Sequence, residues 1–352
     1  MYYVNENARD LLRIGYHMNR RDYLRLDLNE NPGGLPQEFI SKVLSEIDPC
    51  FISEYPEMEE FTAVLADFVG VKPENLCIVN GSSEGIRHII EAFTAPGGKI
   101  LGVTPSYAMF EVYSKMYGRE FIPVSYTREL TMPIDNILEK MTPDIQLMIL
   151  VNPNNPMGNA YTEEEFRTLL ARAKELEITV LVDEAYHYFY PETFVKYAVN
   201  DDHVLITRTF SKLFSLAGLR LGCVIGSPAS AKVLNNLCTP HNVNAVSMLF
   251  ARKMMESPEI VRELIDKHRE GRAFLRDWLV EHGYEYMGEN GNFIFIKQKT
   301  DADRIVERME KEKKILIKSY DGIGKFGRCL RVSTAEKRFM EQFVSALEEL
   351  DR

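Results

Sequence analysis

Seven short apolar runs punctuate the first 226 residues: Leu76–Asn80, Lys99–Thr104, Glu120–Tyr126, Leu147–Val151, Thr179–Val182, Val204–Thr207 and Leu221–Gly226. Most are continuously apolar rather than alternating, which predicts strands buried on both faces of a mainly parallel sheet. Amphipathic stretches lie between them. Gly85–Phe93 follows a Gly-Ser-Ser turn, and Glu163–Glu177 follows Thr162, with Glu165 in capping-box spacing. Alternating strands and helices over about 150 residues predict one large α/β domain.

After about residue 255 the texture changes. A charged helical stretch, Pro258–His282, leads to short strand-like runs at Asn292–Ile296, Lys314–Lys318 and Cys329–Ser333, then to an amphipathic helix, Glu336–Leu350. This predicts a smaller α+β domain at 256–352. The large domain is expected at 31–255, and the weakly patterned arm at 1–30 is expected to pack with the small one. The run Met309–Lys314 is expected to be a solvated helix face.

Composition narrows the function. With 352 residues, 45% of them apolar, the chain can bury a core without disulfide or metal staples. Its net charge of −10 disfavours a nucleic-acid or anionic-membrane surface as the main partner, though not a local basic pocket. Apolar runs reach only about five residues, far below the roughly 18 that span a bilayer. The polar start, MYYVNENARD, does not read as a secretory signal. Five scattered cysteines without CxxC fit a reducing cytoplasm, and the histidines show no metal-ligand spacing. No metal site is expected.

In open parallel sheets, ligands bind beyond the carboxyl ends of the strands. Five predicted strand ends carry chemistry: the Gly81–Gly85 turn, Pro105-Ser106-Tyr107, Asn152–Pro156, Asp183–Tyr186, and Arg208–Lys212. Singly, each has a plain structural reading as a cap, a packing ring or a surface lysine. Together, a helix-opening turn suited to phosphate, a carboxylate, a flat ring and an amine suggest one ligand, an aromatic aldehyde phosphate held as a lysine Schiff base.

The stretches NPNNPMG (Asn152–Gly158), DEAYHYF (Asp183–Phe189) and SKLFSLAGLRLG (Ser211–Gly222) resemble the fold-type I, class I/II pyridoxal-phosphate aminotransferases. Within them the chain is most similar to the histidinol-phosphate aminotransferases and close relatives. LNENP (Leu28–Pro32), Tyr55-Pro56, Asn292-Phe293 and Leu330-Arg331 extend the match along most of the chain. The resemblance implies an α/β fold-type I architecture, with a large domain on a seven-stranded, mainly parallel sheet and a smaller α+β domain. It implies pyridoxal 5'-phosphate as cofactor and a cytoplasmic amino-acid-biosynthetic enzyme, homodimeric with shared sites.

By matched position, Lys212 would carry the cofactor and move the substrate proton, and Asp183 would pair with the pyridine nitrogen. Asn155 and Tyr186 would bond the ring hydroxyl, and Tyr107 would stack on the ring. Ser82, Ser83, Thr209, Ser211 and Arg220 would hold the phosphate, and Tyr55 would reach the neighbouring subunit's phosphate. Arg331, Lys318 and, loosely, Tyr3 would meet substrate.

The chain departs from the family pattern at several points. Lys318 replaces an arginine that grips substrate phosphate, Ala335-Glu336 stand for Gly-Thr, Met157 for Thr, and Ser83 for an acid. The resemblance implies amino transfer between glutamate/2-oxoglutarate and a small amine or keto compound, phosphorylated by expectation. A decarboxylase of a phosphorylated amino acid, like the threonine-phosphate decarboxylases, would use the same cofactor residues. A ligand-sensing regulator would need a DNA-binding module that this acidic chain does not accommodate. Gly322–Gly327 matches GxGxxG literally, but the strand-like run after it argues against a dinucleotide site and predicts a glycine-rich hairpin or loop.

Overall fold

The structure, a computed structural model, describes residues 2, 4–11, 15 and 18–352. Its centre is a seven-stranded sheet. Across it run Leu76–Val79, Gly222–Ile225, Val204–Thr209, Thr179–Asp183, Ile145–Val151, Lys99–Thr104 and Glu120–Ser125. Each coincides with one of the seven apolar runs. All neighbours are parallel except the contacts of Gly222–Ile225, which runs against Leu76–Val79 and Val204–Thr209. Its first residue therefore lies at the rim where the parallel strands end.

The central strands are buried along almost their whole length, only Gln146 and Thr179 being half-buried, as continuous apolar runs require. Glu120–Ser125 differs. It pairs only with Lys99–Thr104, and Glu120, Pro123 and Ser125 are exposed, because an edge strand needs no apolar residue on its open side. Apolar side chains on both faces form two core clusters, one including Phe166, Phe214 and Met254, the other Ile86, Ile89 and Phe110.

Helix starts follow local chemistry. Thr162 and Glu165 form the capping box: the Thr162 amide donates to Glu165 Oε2 at 2.8 Å, and the Glu165 amide to Thr162 Oγ1 at 3.2 Å. The helix after Leu76–Val79 begins at Ser82, three residues before the apolar periodicity becomes visible. Gly81 makes this possible with φ +74°, a left-handed conformation that residues with a Cβ adopt at a cost.

The C-terminal residues build a four-stranded antiparallel sheet in the order Lys318–Ile323, Gly327–Ser333, Phe293–Lys297, Glu285–Met287. Gly322–Gly327 forms its hairpin turn. The expected strand at Lys314–Lys318 is divided. Lys314, at φ +57°, caps the preceding helix, Ile315–Leu316 pairs in parallel with Leu24–Arg25, and Lys318 opens a new strand. Leu26 follows that pairing into a core with Ile294, Leu330 and Phe343. Met309 is fully buried there too, so only the rest of its charged run faces solvent. Helix Pro258–Glu281 bridges the two cores, placing Leu264 in one and Leu275 and Leu279 in the other. No helix among the described residues is long and apolar enough to cross a membrane.

Candidate active site

Five strand ends and the start of the antiparallel strand meet at one rim. Asp183 closes its strand with partners on both sides, opposite Val151 and Thr207. Its carboxylate is buried. Thr207 Oγ1 donates to Oδ1 at 2.9 Å and the Ala185 amide to the same oxygen at 3.2 Å, which leaves Oδ2 open. Burial, only partly opposed by those donors, lifts the pKa of Asp183 to about 6.

Lys212 sits in a tight return after Val204–Thr209. The Phe210 amide bonds Leu221 O, the Leu216 amide bonds Phe210 O, and buried Leu213 and Phe214 anchor the turn. The ammonium donates to Leu28 O at 3.0 Å and lies 5.8 Å from the centre of the Tyr186 ring. Burial, and next the guanidinium of Arg331, bring the Lys212 pKa down to about 8. That is the adjustment an amine nucleophile needs near neutrality.

Tyr186 is buried, with its ring edge-on to Phe293. Its hydroxyl accepts from Asn155 Nδ2 at 3.0 Å and from Asn29 Nδ2 at 2.8 Å. Asn29 was not among the expected site residues. It is fixed by Ser333, which donates to its Oδ1 and accepts from its amide, so the first and last parts of the chain meet at the tyrosine. The signal was its place in LNENP, whose role only the fold shows.

At the other end of the rim lies an anion cradle. Ser82 and Ser83 open their helix, and Ser83 Oγ shares a hydrogen bond with Tyr107 OH at 3.2 Å. Arg220, at φ +54°, packs so closely on Gly81 that a Cβ there would lie 2.8 Å from its Nη2. Thr209 and Ser211 form a hydroxyl pair at 3.0 Å, and the Ser211 amide donates to Thr209 Oγ1. Helix amides, hydroxyls and a guanidinium thus converge where a phosphate dianion would be welcome.

A second cationic group lies on the C-terminal sheet. Arg331 is buried over the Tyr320 ring. Its Nη1 donates to Asn155 Oδ1 at 3.3 Å, its Nη2 donates to Asp27 O, and its Nε is buried with no partner. Lys318 is its cross-strand neighbour. Burial and Arg331 lower the Lys318 pKa, and no salt bridge holds it among the described residues. Asp27 is instead taken by Arg20 in a two-pronged pair at 2.8 and 3.1 Å.

One expected residue among the described ones is not in this cluster. Tyr55 is 81% exposed and stacks on His241 at 4.9 Å, away from the cleft of its own chain. Tyr3 lies outside the described residues. A surface cavity of about 860 Å³ is lined by Met157, Tyr286 and Phe326 and by none of the expected site residues.

Residues 21–347 match the family model for aminotransferase class I and II. The chain belongs to this family. The class I and II aminotransferase is 32% identical over 333 residues to the histidinol-phosphate aminotransferase of Thermoanaerobacter sp. (strain X514), covering 93% of this chain and 92% of that one. It is 28% identical over 331 residues to that of Aquifex aeolicus, with the same coverage. Among solved structures, histidinol-phosphate aminotransferase from Sinorhizobium meliloti in complex with pyridoxal-5'-phosphate superposes with a TM-score of 0.85 at 21% identity, over 94% of this chain and 91% of that one. That from Clostridium acetobutylicum gives 0.83 at 23% identity, over 93% and 99%. These likenesses show the fold-type I architecture. Family membership makes the chain a transaminase that depends on pyridoxal 5'-phosphate, and the relatives do not favour decarboxylation.

The residues fit that cofactor. Asp183 has a buried oxygen edge open to a cationic ring nitrogen, Lys212 has an amine of lowered pKa, and the Gly81 turn leaves room that a side chain would fill.

Proposed function

We propose that this aminotransferase moves an amino group between the glutamate/2-oxoglutarate pair and a small phosphorylated amine of the histidinol-phosphate type, as the names of its relatives suggest. The bound cofactor would supply an electron-withdrawing ring that takes up the electron pair left when substrate Cα loses its proton. Lys212 would hold the cofactor, and its amine would then move the proton lost from and returned to substrate Cα. Asp183 would keep the ring nitrogen protonated, its Oδ1 being held by Thr207 and the Ala185 amide and its Oδ2 left for that role. Asn155 and Tyr186 orient the ring hydroxyl. Tyr107 covers a ring face, and Ser82, Ser83, Thr209, Ser211 and Arg220 hold the phosphate.

The observation that carries the substrate reading is the buried Arg331 with the half-buried Lys318 beside it: the Arg331 Nε has no partner, and Lys318 has no salt bridge, among the described residues. Buried charges without partners are costly, and a dianionic substrate group would supply the partner. In this reading residues 31–255 carry the cofactor, while 1–30 and 256–352 close over the substrate. Tyr55, with its exposed stacked ring, reaches the phosphate of the partner subunit in a cytoplasmic homodimer.

The test compares kcat/KM for L-histidinol phosphate and L-histidinol. The expected preference for the phosphorylated amine is at least about 10-fold, the scale of one charge-assisted hydrogen bond. It should shrink in Lys318→Met and survive in Lys318→Arg. Equal kcat/KM for the two amines would overturn the phosphorylated-substrate reading.

A further inference from the structure

One cluster of nucleophilic and titratable side chains lies outside the active site. Cys77 is buried in the strand Leu76–Val79, one of four residues that run to the Asn80–Gly81 turn. Cys238 is only partly buried, just after helix Pro228–Asn235. Their sulfur atoms are 3.6 Å apart, and His88 Nδ1 lies 3.8 Å from the Cys238 sulfur. The polar frame around the pair is well fixed. Asn235 Nδ2 donates to Leu76 O, Asn242 Nδ2 to Ile78 O, and Asn80 Nδ2 to Asn242 O, all at 2.7 to 2.9 Å. The two cysteines thus lie on segments held together by three such bonds, with their sulfur atoms already in contact.

We propose that Cys77 and Cys238 form a reversible oxidation site for peroxides, with Cys238 the attacking thiol and Cys77 the resolving one. The roles follow from placement. Cys238 is reachable from solvent and has the imidazole beside it, while Cys77 is sealed in the sheet. The contacts from Cys77 and His88 favour the Cys238 thiolate, whereas burial and the neighbouring sulfur keep Cys77 protonated. The Cys238 thiolate attacks one peroxide oxygen, the O–O bond breaks, and the leaving hydroxide takes a proton as water. The sulfenic acid so formed is attacked by the Cys77 sulfur. The S–O bond breaks, the Cys77 proton leaves with the hydroxyl as a second water, and a disulfide remains. Two thiols and one hydrogen peroxide give one disulfide and two waters.

The bond would tie the strand leading into the Ser82–Phe93 helix to the segment leading into helix Ala245–Met255. A cross-link between residues this far apart in sequence restricts the unfolded chain, so the oxidised protein should melt at a higher temperature.

The test uses the cofactor-loaded protein with one equivalent of hydrogen peroxide. Thiols titrated in denaturant should fall from five to three, counting the five free cysteines. Non-reducing digestion and mass spectrometry should show the Cys77-containing peptide joined to the Cys238-containing one, and dithiothreitol should restore all five thiols. Cys238→Ser should stop the reaction. His88→Gln should slow it several-fold while the disulfide still forms. Five thiols remaining, a linkage through Cys223, Cys329 or Cys50, or a sulfenic acid at Cys238 that never joins Cys77 would each overturn the proposal. None of these readouts depends on turnover, so the result is independent of the substrate reading.

Discussion

At the scale of single residues, the site is built from groups whose proton affinities have been moved by burial. Lys212, with its pKa brought down to about 8, is mostly ammonium below that pH and mostly free amine above it. Capture of pyridoxal 5'-phosphate by the cofactor-free chain should therefore accelerate as pH rises through about 8. Stopped-flow absorbance checks this, and a rate independent of pH between 7 and 9 would contradict the assignment. Asp183 makes the complementary prediction. Its carboxylate is raised to about 6 because it is buried without a cationic partner, so charge on it opposes folding at neutral pH. Asp183→Asn should leave the cofactor-free melting temperature unchanged or higher, yet lower kcat by at least about 100-fold, the scale of losing a preorganised electrostatic contact. A variant with near-normal kcat would remove Asp183 from the site.

Among secondary-structure elements, the seven sheet strands were legible because strands buried on both faces carry continuous apolar runs, and burial leaves little alternative. The capping box at Thr162 was legible for the same local reason. Thr162→Ala should cost about 1 kcal/mol, read as a lower denaturation midpoint with unchanged activity. What the sequence hid was non-local. The strand Glu285–Met287 is three residues long with mixed exposure, too short for a period to show. Leu24–Arg25 acquires its partner about 290 residues later, so nothing near it announces a strand. Asn29 belongs to the site only because Ser333 and Tyr186 are folded onto it. The antiparallel direction of Gly222–Ile225, which brings Arg220 to the rim, likewise follows from the fold and not from any pattern in the run itself. Gly81→Ala should cost about 1–2 kcal/mol for the left-handed backbone alone. It should also displace Arg220, so cofactor retention on dialysis should fall more than stability does.

At the scale of the whole molecule, two cores joined by helix Pro258–Glu281 put the proposed cofactor residues on one side of a cleft and Arg331 and Lys318 on the other. Arg331 reaches across it to Asn155, and Asn29 reaches Tyr186. The exposed Tyr55–His241 stack belongs to neither core, and the proposed homodimer would give it a purpose. Tyr55→Ala should weaken both self-association by sedimentation and cofactor retention; loss of neither would leave the shared-site arrangement without support. We infer that this cleft performs amino transfer through a cofactor held by Lys212. The most direct test adds L-glutamate, then separately L-histidinol phosphate, to the cofactor-loaded protein and follows the cofactor's absorbance. Rapid conversion to the pyridoxamine form by both donors, absent in Lys212→Ala, is the predicted result. No conversion by either donor would contradict the account.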